Sequence, residues 1–218
     1  MQTINIITFV VTLCFLARDT FAFVLVHQAP RNVSKVLTVD NGGQWETWRD
    51  PHFCAEGAFA VGYDMKVEIS YSKIESDSAS DDTGMNGIRL ECHFKSNGHF
   101  GGTVGSGVAP YGDWLGLTRC DSGLGVEHFL VSFSLQVEAE TTDDTAANYA
   151  KFMCRDFAGD SSPYEIVHKP GHGYWGTWGS FSEFCDPDSA ICGISTKIED
   201  DTWDDTGLND ARFYCCPF

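Results

Sequence analysis

The chain has 218 residues and carries 31 acidic against 14 basic side chains, which gives a formal net charge of −17. Such an acidic surface repels nucleic acid and anionic lipid, so neither is an expected partner. There are nine cysteines and no C-x-x-C pair, a pattern that favours disulfide bonds over zinc thiolates in an exported protein.

Residues 1–22 have the pattern of a secretory signal peptide. Residues 6–16 are apolar but for two threonines, a short run for a membrane span, and Thr20-Phe21-Ala22 resembles a small-residue cleavage site. A buried N-terminal strand is the alternative. No later run approaches the roughly 20 apolar residues of a membrane helix. We therefore expect a secreted, extracellular product of residues 23–218, which loses Cys14 and keeps eight cysteines.

One glycosylation sequon follows this segment. Asn32-Val33-Ser34 has the N-x-[ST] pattern and lies in the lead-in that precedes the first repeat. A lead-in of this kind is expected at the surface. The sequence therefore predicts Asn32 as a candidate glycosylation site, with its occupancy left open.

A twelve-residue pattern occurs three times without insertion or loss. It reads D-D-T-[GA]-x-N-x-x-[RK]-[LF]-x-C and spans 81–92, 143–154 and 204–215, so that its closing cysteine recurs every 61 to 62 residues. A fixed period of this kind indicates internal triplication. We place the repeats at about 36–92, 105–154 and 170–216, within a single domain of residues 23–218.

Each repeat has the same layout. It opens with a Gly-x-Trp turn, at 43–45, 112–114 and 173–175, and continues through a cysteine into a strand with period-two alternation. The strand ends in Val-Glu or Ile-Glu, and a polar loop leads to the D-D-T motif. The predicted inward-facing residues are Phe59, Val61, Tyr63, Met65, Val67 and Ile69; Phe129, Val131, Phe133, Leu135 and Val137; and Cys192, Ile194, Thr196 and Ile198.

These short strands, with no useful helical period, predict an all-β protein. Three equal β units in one domain must each bury one face against the other two. Three sheets around a pseudo-threefold axis satisfy this requirement. A three-bladed propeller is the geometric alternative, but units of about 60 residues suit a three-sided prism as well or better.

The Gly-x-Trp openings, the three D-D-T motifs and the terminal Cys215-Cys216 pair resemble the vitelline membrane outer layer protein family. The resemblance runs from about residue 36 to 218. It implies a β-prism of three Greek-key antiparallel sheets around a pseudo-threefold axis. It also implies secretion, a structural role in an egg's outer coat, and a carbohydrate-transferase activity on chitin-type oligosaccharides whose catalytic residues are not settled. The first repeat departs from the other two in its longer loop, 70–80.

The acidic turns are the first candidate functional site. A structural turn, in which Asp, Thr and Asn side chains bond backbone groups, is favoured because every repeat needs it whereas catalysis requires asymmetry. Calcium is the alternative, but the D-x-D-x-D-G pattern is missing. We expect no metal and no cofactor. The candidate ligand-binding residues are Asp82, Asn86, Asp144, Asn148, Asp205 and Asn209.

Basic, aromatic and histidine side chains are further candidates. The motif residues Arg89, Lys151 and Arg212 are expected either to pair with acids or to form a solvated strand face. We expect the repeated tryptophans to be buried in the core at the ends of the sheets, in preference to forming stacking surfaces for sugar rings. They are Trp45, Trp48, Trp114, Trp175 and Trp178. The histidines near loops, which we interpret as surface residues, are His93, His99, His128, His168 and His172.

Three functions remain open. The first, which repetition favours, is a disulfide-stabilised structural component of an extracellular coat or mucus-like layer, with coat components as partners. The second is a glycan-binding module, and the third is a glycosyl-transfer enzyme acting on amino-sugar oligomers. No nucleophile motif is present, so the enzyme assignment stays uncertain and leans to no. A glycosidase-like site would need two carboxylates in different environments.

The repeat order predicts the disulfides Cys54–Cys92 and Cys120–Cys154. In the third repeat, Cys192 aligns with inward-facing valines and Cys215 shares a face with Phe213. This alternation favours Cys192–Cys215 and Cys185–Cys216, whereas repeat symmetry alone favours Cys185–Cys215. Both remain open from the sequence.

The location of a ligand follows from the threefold arrangement. The D-D-T turns are expected at one end of the prism, where six aspartates would form a strongly negative mouth. Such a mouth suits neutral or basic glycans and disfavours anionic ones.

Overall fold

The computed structural model describes residues 31–68, 83–121, 127–139, 145–199 and 206–218. The predicted signal peptide, Ile69, the loop 70–80 and the aspartates of the three motifs lie outside these ranges. The described residues form antiparallel strands: β1 (Lys35–Leu37), β2 (His52–Phe53), β3 (Ala58–Val67), β4 (Met85–Phe94), β5 (Phe100–Val108), β6 (Asp113–Trp114), β7 (Thr118–Arg119), β8 (His128–Val137), β9 (Ala147–Asp156), β10 (Tyr164–Val167), β11 (Thr177–Trp178), β12 (Ser189–Glu199) and β13 (Gly207–Pro217).

The strands form three sheets with matching order. The first sheet runs β5-β4-β3-β6 with β7 also on β3, the second runs β10-β9-β8-β11, and the third runs β1-β13-β12-β2. In the first two sheets a return strand lies beside the first strand of a meander, which is Greek-key order. The third sheet has the same spatial order, with both outer strands supplied by the start of the chain. Because β3, β8 and β12 all contact one another, the three sheets enclose a common core. The expected all-β fold of three antiparallel Greek-key sheets is confirmed.

The sequence repeats are offset from the sheets. Each opening segment adds an edge to the sheet of the preceding repeat: β6 pairs with β3, and β11 pairs with β8. The third sheet is completed from the start of the chain, since β1 pairs with β13 and β2 pairs with β12. The N-terminal segment therefore closes the prism.

The predicted inward faces form the core wherever they are described. The residues listed for β3, β8 and β12 are all buried. Near the axis, the ring centroid of Phe213 lies 4.6 Å from that of Phe133 and 5.1 Å from that of Phe152. Tyr63 lies 4.5 Å from Phe152 in the same way. Contacts between rings of different sheets add to the free energy of burial, by about 0.5–1.5 kcal/mol per pair.

Each long hairpin has a β-bulge at the same place. The register shifts between Ala60 and Gly62, between Leu130 and Ser132, and between Ile191 and Gly193. The bulged residues are therefore Val61, Val131 and Cys192, and their carbonyls accept hydrogen bonds from the N–H groups of Cys120, Cys185 and Cys54, each 2.8 Å long. A bulge re-aims the side chain that it carries. Here it also positions the cysteine that precedes the next unit.

The disulfides form a belt around the prism. Cys54–Cys92, Cys120–Cys154 and Cys185–Cys215 are equivalent bridges, and Cys192–Cys216 lies within the third sheet. Cys120 illustrates the belt, because its N–H bonds to β3 of the first sheet while its sulfur is bonded to β9 of the second. The three equivalent bridges therefore join each sheet to the next. We call this end of the prism the disulfide end.

The pairing favoured for the third repeat, Cys192–Cys215 with Cys185–Cys216, is wrong. Cys192 lies at the bulge, so alternation along β12 does not carry through it. Its sulfur reaches Cys216, while Cys215 takes the place that Cys92 and Cys154 have in their sheets. Repeat symmetry was the better guide.

Candidate functional site

Three identical hydrogen-bond relays close the end opposite the disulfide end. In the first unit the Thr83 hydroxyl donates to the Glu68 carboxylate (2.5 Å), and Asn86 Nδ2 donates to Thr83 Oγ1 (2.6 Å). The other relays are Asn148–Thr145–Glu138 and Asn209–Thr206–Glu199, with the matching atoms 2.5 and 2.8 Å apart in both. Each threonine hydroxyl thus joins an asparagine of the turn to the glutamate that follows the preceding strand. The relay therefore ties the turn to the end of that strand.

The three relays lie together. A Cβ on Gly84 would meet Asn148, and a Cβ on Gly207 would meet Asn86, so neighbouring turns are in contact. We call this end the turn end. The three asparagine side chains are buried, which gives them the structural role in the turn. Asp82, Asp144 and Asp205 lie outside the described residues, although the threonines that follow them are all at this end.

The repeated aromatic residues fall into two sets. Trp48, Trp114 and Trp178 pair with the equivalent strand positions Lys197, Lys66 and Gln136. Each has a basic motif residue over its ring, with charge-to-centroid distances of 4.3 Å for Arg212, 4.0 Å for Arg89 and 4.7 Å for Lys151. These tryptophans pack on the outer faces of the sheets, under the cations of the motif.

The second set is Trp45, Tyr111 and Trp175. Their equivalence follows from the next residue, since Glu46, Gly112 and Gly176 all have positive φ, of 64°, 73° and 76°. Gly112 therefore does not match Gly43 and Gly173, and the Gly-x-Trp register predicted for the second repeat is wrong by three residues. Trp45 and Tyr111 are 44% and 45% exposed. Half-exposed aromatic rings thus lie beside the turns.

As far as the chain is described, clefts lie at two of the three interfaces between sheets at the turn end. The first cleft lies between the first and second sheets, has a volume of about 230 Å³, and is lined by apolar residues such as Val67, Leu115 and Pro170, with Lys169 also present. The second cleft lies between the second and third sheets and has a similar volume of about 230 Å³. Its lining is more polar and includes Asn41, Trp45 and Glu138.

At the third interface, Arg49 occupies the corresponding space between the described residues. Arg49 packs against Gly107, and its Nη2 donates to the carbonyl of Ile198 (3.4 Å). Because backbone N–H groups of Arg49, Leu115 and Gly179 bond to equivalent carbonyls, these three residues occupy the same position in their sheets. Leu115 beside the first cleft and Gly179 beside the second are smaller than Arg49, so the space that Arg49 fills at the third interface stays open at these two.

Asp210 lies behind the second cleft. Its carboxyl occupies the space where a Cβ on Gly42, a residue of the cleft wall, would stand. Burial raises the pKa of Asp210 to about 6, while Lys197, Arg212 and a bond from the Ala211 N–H act in the opposite direction. Asp210 was not predicted as a site residue from the sequence. The signal that could have identified it is its difference from the other repeats, which have Gly87 and Tyr149 at the same position.

The first sheet carries a network of charged side chains on its outer face. Asp64 accepts from Arg89 (2.7 Å), and Glu91 Oε1 accepts from Arg119 (2.6 Å). His93 bridges Glu91 (2.7 Å) and Glu127 (2.8 Å) and is largely buried, so the interpretation of His93 as a surface residue is wrong. The corresponding residues in the second sheet, Ser134 and Met153, cannot form this network.

Among the described ranges, no group of three or more His, Cys, Asp or Glu side chains is placed to hold a metal ion. In the same part of the chain, no helix is long and apolar enough to cross a membrane.

Comparison with known proteins identifies the family. Residues 35–218 match the family described as Vitelline membrane outer layer protein I (VOMI). The human protein named vitelline membrane outer layer protein 1 homolog is 40% identical over 188 residues, which cover 83% of this chain and 82% of the human protein. The mouse protein of the same name is 36% identical over 203 residues, 89% of either chain. The chain therefore belongs to the Vitelline membrane outer layer protein I family.

Solved structures similar to this chain include two plant lectins. One is a mannose-binding jacalin-related lectin from Ananas comosus, with a TM-score of 0.46 and 11% identity over 84% of this chain and 98% of the lectin. Another is a mannose-specific jacalin-related lectin from Morus nigra, with a TM-score of 0.47 and 11% identity over 87% of this chain and 97% of the lectin. Family membership and four disulfides are consistent with an extracellular protein.

Proposed function

We propose that this protein is a secreted structural component of an extracellular layer, of the egg-coat or mucus-like kind. The observation that carries the proposal is the repetition of one relay and one belt disulfide in all three units. Repetition of this kind stabilises a scaffold, whereas a catalytic site needs groups in different environments. The names of the human and mouse relatives, which refer to the outer layer of the vitelline membrane, support the same role.

The turn end is the part of this scaffold that we assign to glycan binding. Half-exposed Trp45 offers a flat apolar face to a sugar ring, and Glu138 borders the second cleft. The chain carries a net charge of −17, which disfavours anionic ligands. The glycans expected here are neutral or basic, such as amino-sugar oligomers. Asn32, which is exposed at the start of the described chain, is the candidate glycosylation site.

One experiment tests whether the protein binds glycans and whether it does so without turnover. The purified protein is incubated with chito-oligosaccharides of defined length, and binding and new chain lengths are measured in the same samples. We expect binding without new products. A glycan array on which sulfated or sialylated sugars alone bind would contradict the assignment to neutral and basic glycans.

Glycosyl transfer is the second candidate function, and the network on the first sheet is the observation that favours it. Asp64 and Glu91 lie on adjacent strands, beside a cleft that Leu117 and Thr103 also line, and the other sheets have no equivalent pair. If new chain lengths appear, Asp64→Asn and Glu91→Gln should abolish them while binding at the turn end persists. Product formation by both variants would exclude this cleft as the catalytic site.

A further inference from the structure

The two open clefts at the turn end differ in charge, although they are equivalent in the fold. Lys169 lines the first cleft, whereas the lining of the second, as far as the chain is described, contains Glu138 and no basic side chain. Asp210 adds a second carboxyl directly behind Gly42 in the wall of the second cleft. The equivalent residue in the first cleft is Tyr149. Glu138 in the lining therefore favours a cation in the second cleft, whereas Lys169 disfavours one in the first. Asp210 adds less than a free carboxylate would, because Lys197 and Arg212 lie near it.

The second cleft also contains hydrogen-bond acceptors that the described chain leaves unused. Asn41 Oδ1 lies in its lining and is buried without a hydrogen-bond partner among the described residues, while Asn41 Nδ2 donates to the carbonyl of Leu135 (3.1 Å). Asn209 Oδ1, which is directed at Gly43 in the cleft wall, is also buried and unpartnered in that part of the chain, but so is the equivalent Asn86 Oδ1 beside the third interface. In the equivalent place beside the first cleft, Asn148 Oδ1 accepts from the Trp175 N–H (3.2 Å). Asn41 Oδ1 is therefore the acceptor that distinguishes the second cleft. A buried acceptor without a donor costs free energy, which a ligand donor would restore.

Trp45 completes the cleft. Its ring is half-exposed, and no basic side chain of the described ranges lies over it, in contrast to Trp48, Trp114 and Trp178. An ammonium group has three N–H donors and a positive charge, so it satisfies carboxylate, amide oxygen and indole face together. A hydroxyl or an acetamido group offers one donor and no charge.

The third interface shows the same preference within the protein. There the space is taken by Arg49, whose guanidinium donates to the carbonyl of Ile198. The equivalent position beside the second cleft is Gly179, against which Asn41 packs. The chain thus supplies its own cation to one interface and leaves the equivalent interface open and acidic.

We infer that the cleft between the second and third sheets binds a primary ammonium group, as carried by an amino sugar whose nitrogen is not acetylated. This inference rests on the proposed glycan binding, and it makes the free amine the group that is selected. The ammonium lies over Trp45 and donates to Glu138 and Asn41. An N-acetylated sugar of the same length lacks the charge and binds more weakly.

Titration calorimetry with two tetrasaccharides tests the inference, one of glucosamine and one of N-acetylglucosamine, at pH 7 and 0.15 M salt. We expect the glucosamine tetramer to bind at least tenfold more tightly. Trp45→Ala should reduce its affinity at least tenfold. Tyr111→Ala is the matched control, because Tyr111 holds the equivalent position beside the interface that Arg49 fills, and it should change the affinity by less than twofold. Equal or tighter binding of the acetylated tetramer would overturn the inference and leave glycan binding intact.

n-Butylammonium and n-butanol separate the two proposals further. The readout is the indole N–H resonance of Trp45, assigned as the peak that the Trp45→Phe variant loses. We expect a saturable shift with n-butylammonium and none with n-butanol. If this shift occurs and neither tetramer binds, the ammonium site stands and glycan binding fails. If both tetramers bind and n-butylammonium gives no shift, the ammonium inference fails alone.

Discussion

The two ends of the prism are closed by different kinds of bond. At the disulfide end, three covalent bridges join the sheets, and the buried Arg31 donates to the carbonyls of Cys54, Ala55 and Ala58. At the turn end, each relay ties a turn to the preceding strand of its own unit, and clefts remain between units. The covalently linked end therefore holds the sheets together, whereas the end without covalent links has room for a ligand.

The largest effect expected from this comparison is loss of a belt disulfide. Replacing Cys120 and Cys154 by alanine removes a link between two sheets and should lower the free energy of unfolding by about 4 kcal/mol. The matched control replaces Cys192 and Cys216, which cross-link strands of one sheet that are already paired, and should cost slightly less, about 3.5 kcal/mol. Urea unfolding of both variants measures the difference. A control that is more damaging than the belt variant would contradict the belt.

At the turn end, the relay should be the next most sensitive feature. Thr145→Val removes the hydroxyl that links Asn148 to Glu138 and should cost about 1–3 kcal/mol, because both partners are left without it. Thr145→Ser keeps the hydroxyl and is the control, with a smaller loss. Thermal unfolding with and without EDTA distinguishes the relay from a calcium site. A melting temperature that falls sharply with EDTA would show that the acidic turns hold a cation.

Asp210 should make stability depend on pH in an unusual direction for an acid. Its folded pKa is raised to about 6 from 3.8, so between these values the folded state holds more protons than the unfolded state. The free energy of unfolding therefore falls as pH rises from about 4 to 6, and the cost is fully present above pH 6. Asp210→Asn should remove this slope and raise stability at pH 7 by about 1–3 kcal/mol. Stability curves of the wild type and the variant that run parallel from pH 4 to 7 would rule the effect out.

Much of this architecture could be predicted from the triplicated motif. The period required three equivalent β units, and the alternation identified the buried faces of β3, β8 and β12. The alternation failed at Cys192, because a bulge is not visible in a pattern of apolar residues. The predicted register of the second opening segment was wrong because the Gly-x-Trp pattern aligns Gly112 with Gly173. In the structure Gly112 corresponds instead to Gly176, which has the same positive φ. The clefts depend on contacts such as Asn41 with Gly179, which join distant segments and leave no local signal.

The smallest expected effect concerns Glu46, which has the left-handed backbone conformation that its equivalents Gly112 and Gly176 adopt without a side chain. A non-glycine residue at φ 64° costs about 1 kcal/mol, so Glu46→Gly should stabilise the protein by up to that amount. Part of the gain is offset because glycine increases the conformational entropy of the unfolded chain. Glu46→Ala is the control, since it removes the carboxylate and keeps the strained Cβ, and it should leave the melting temperature nearly unchanged. If alanine stabilises the protein as much as glycine does, the gain comes from removing the Glu46 carboxylate and not from relief of backbone strain.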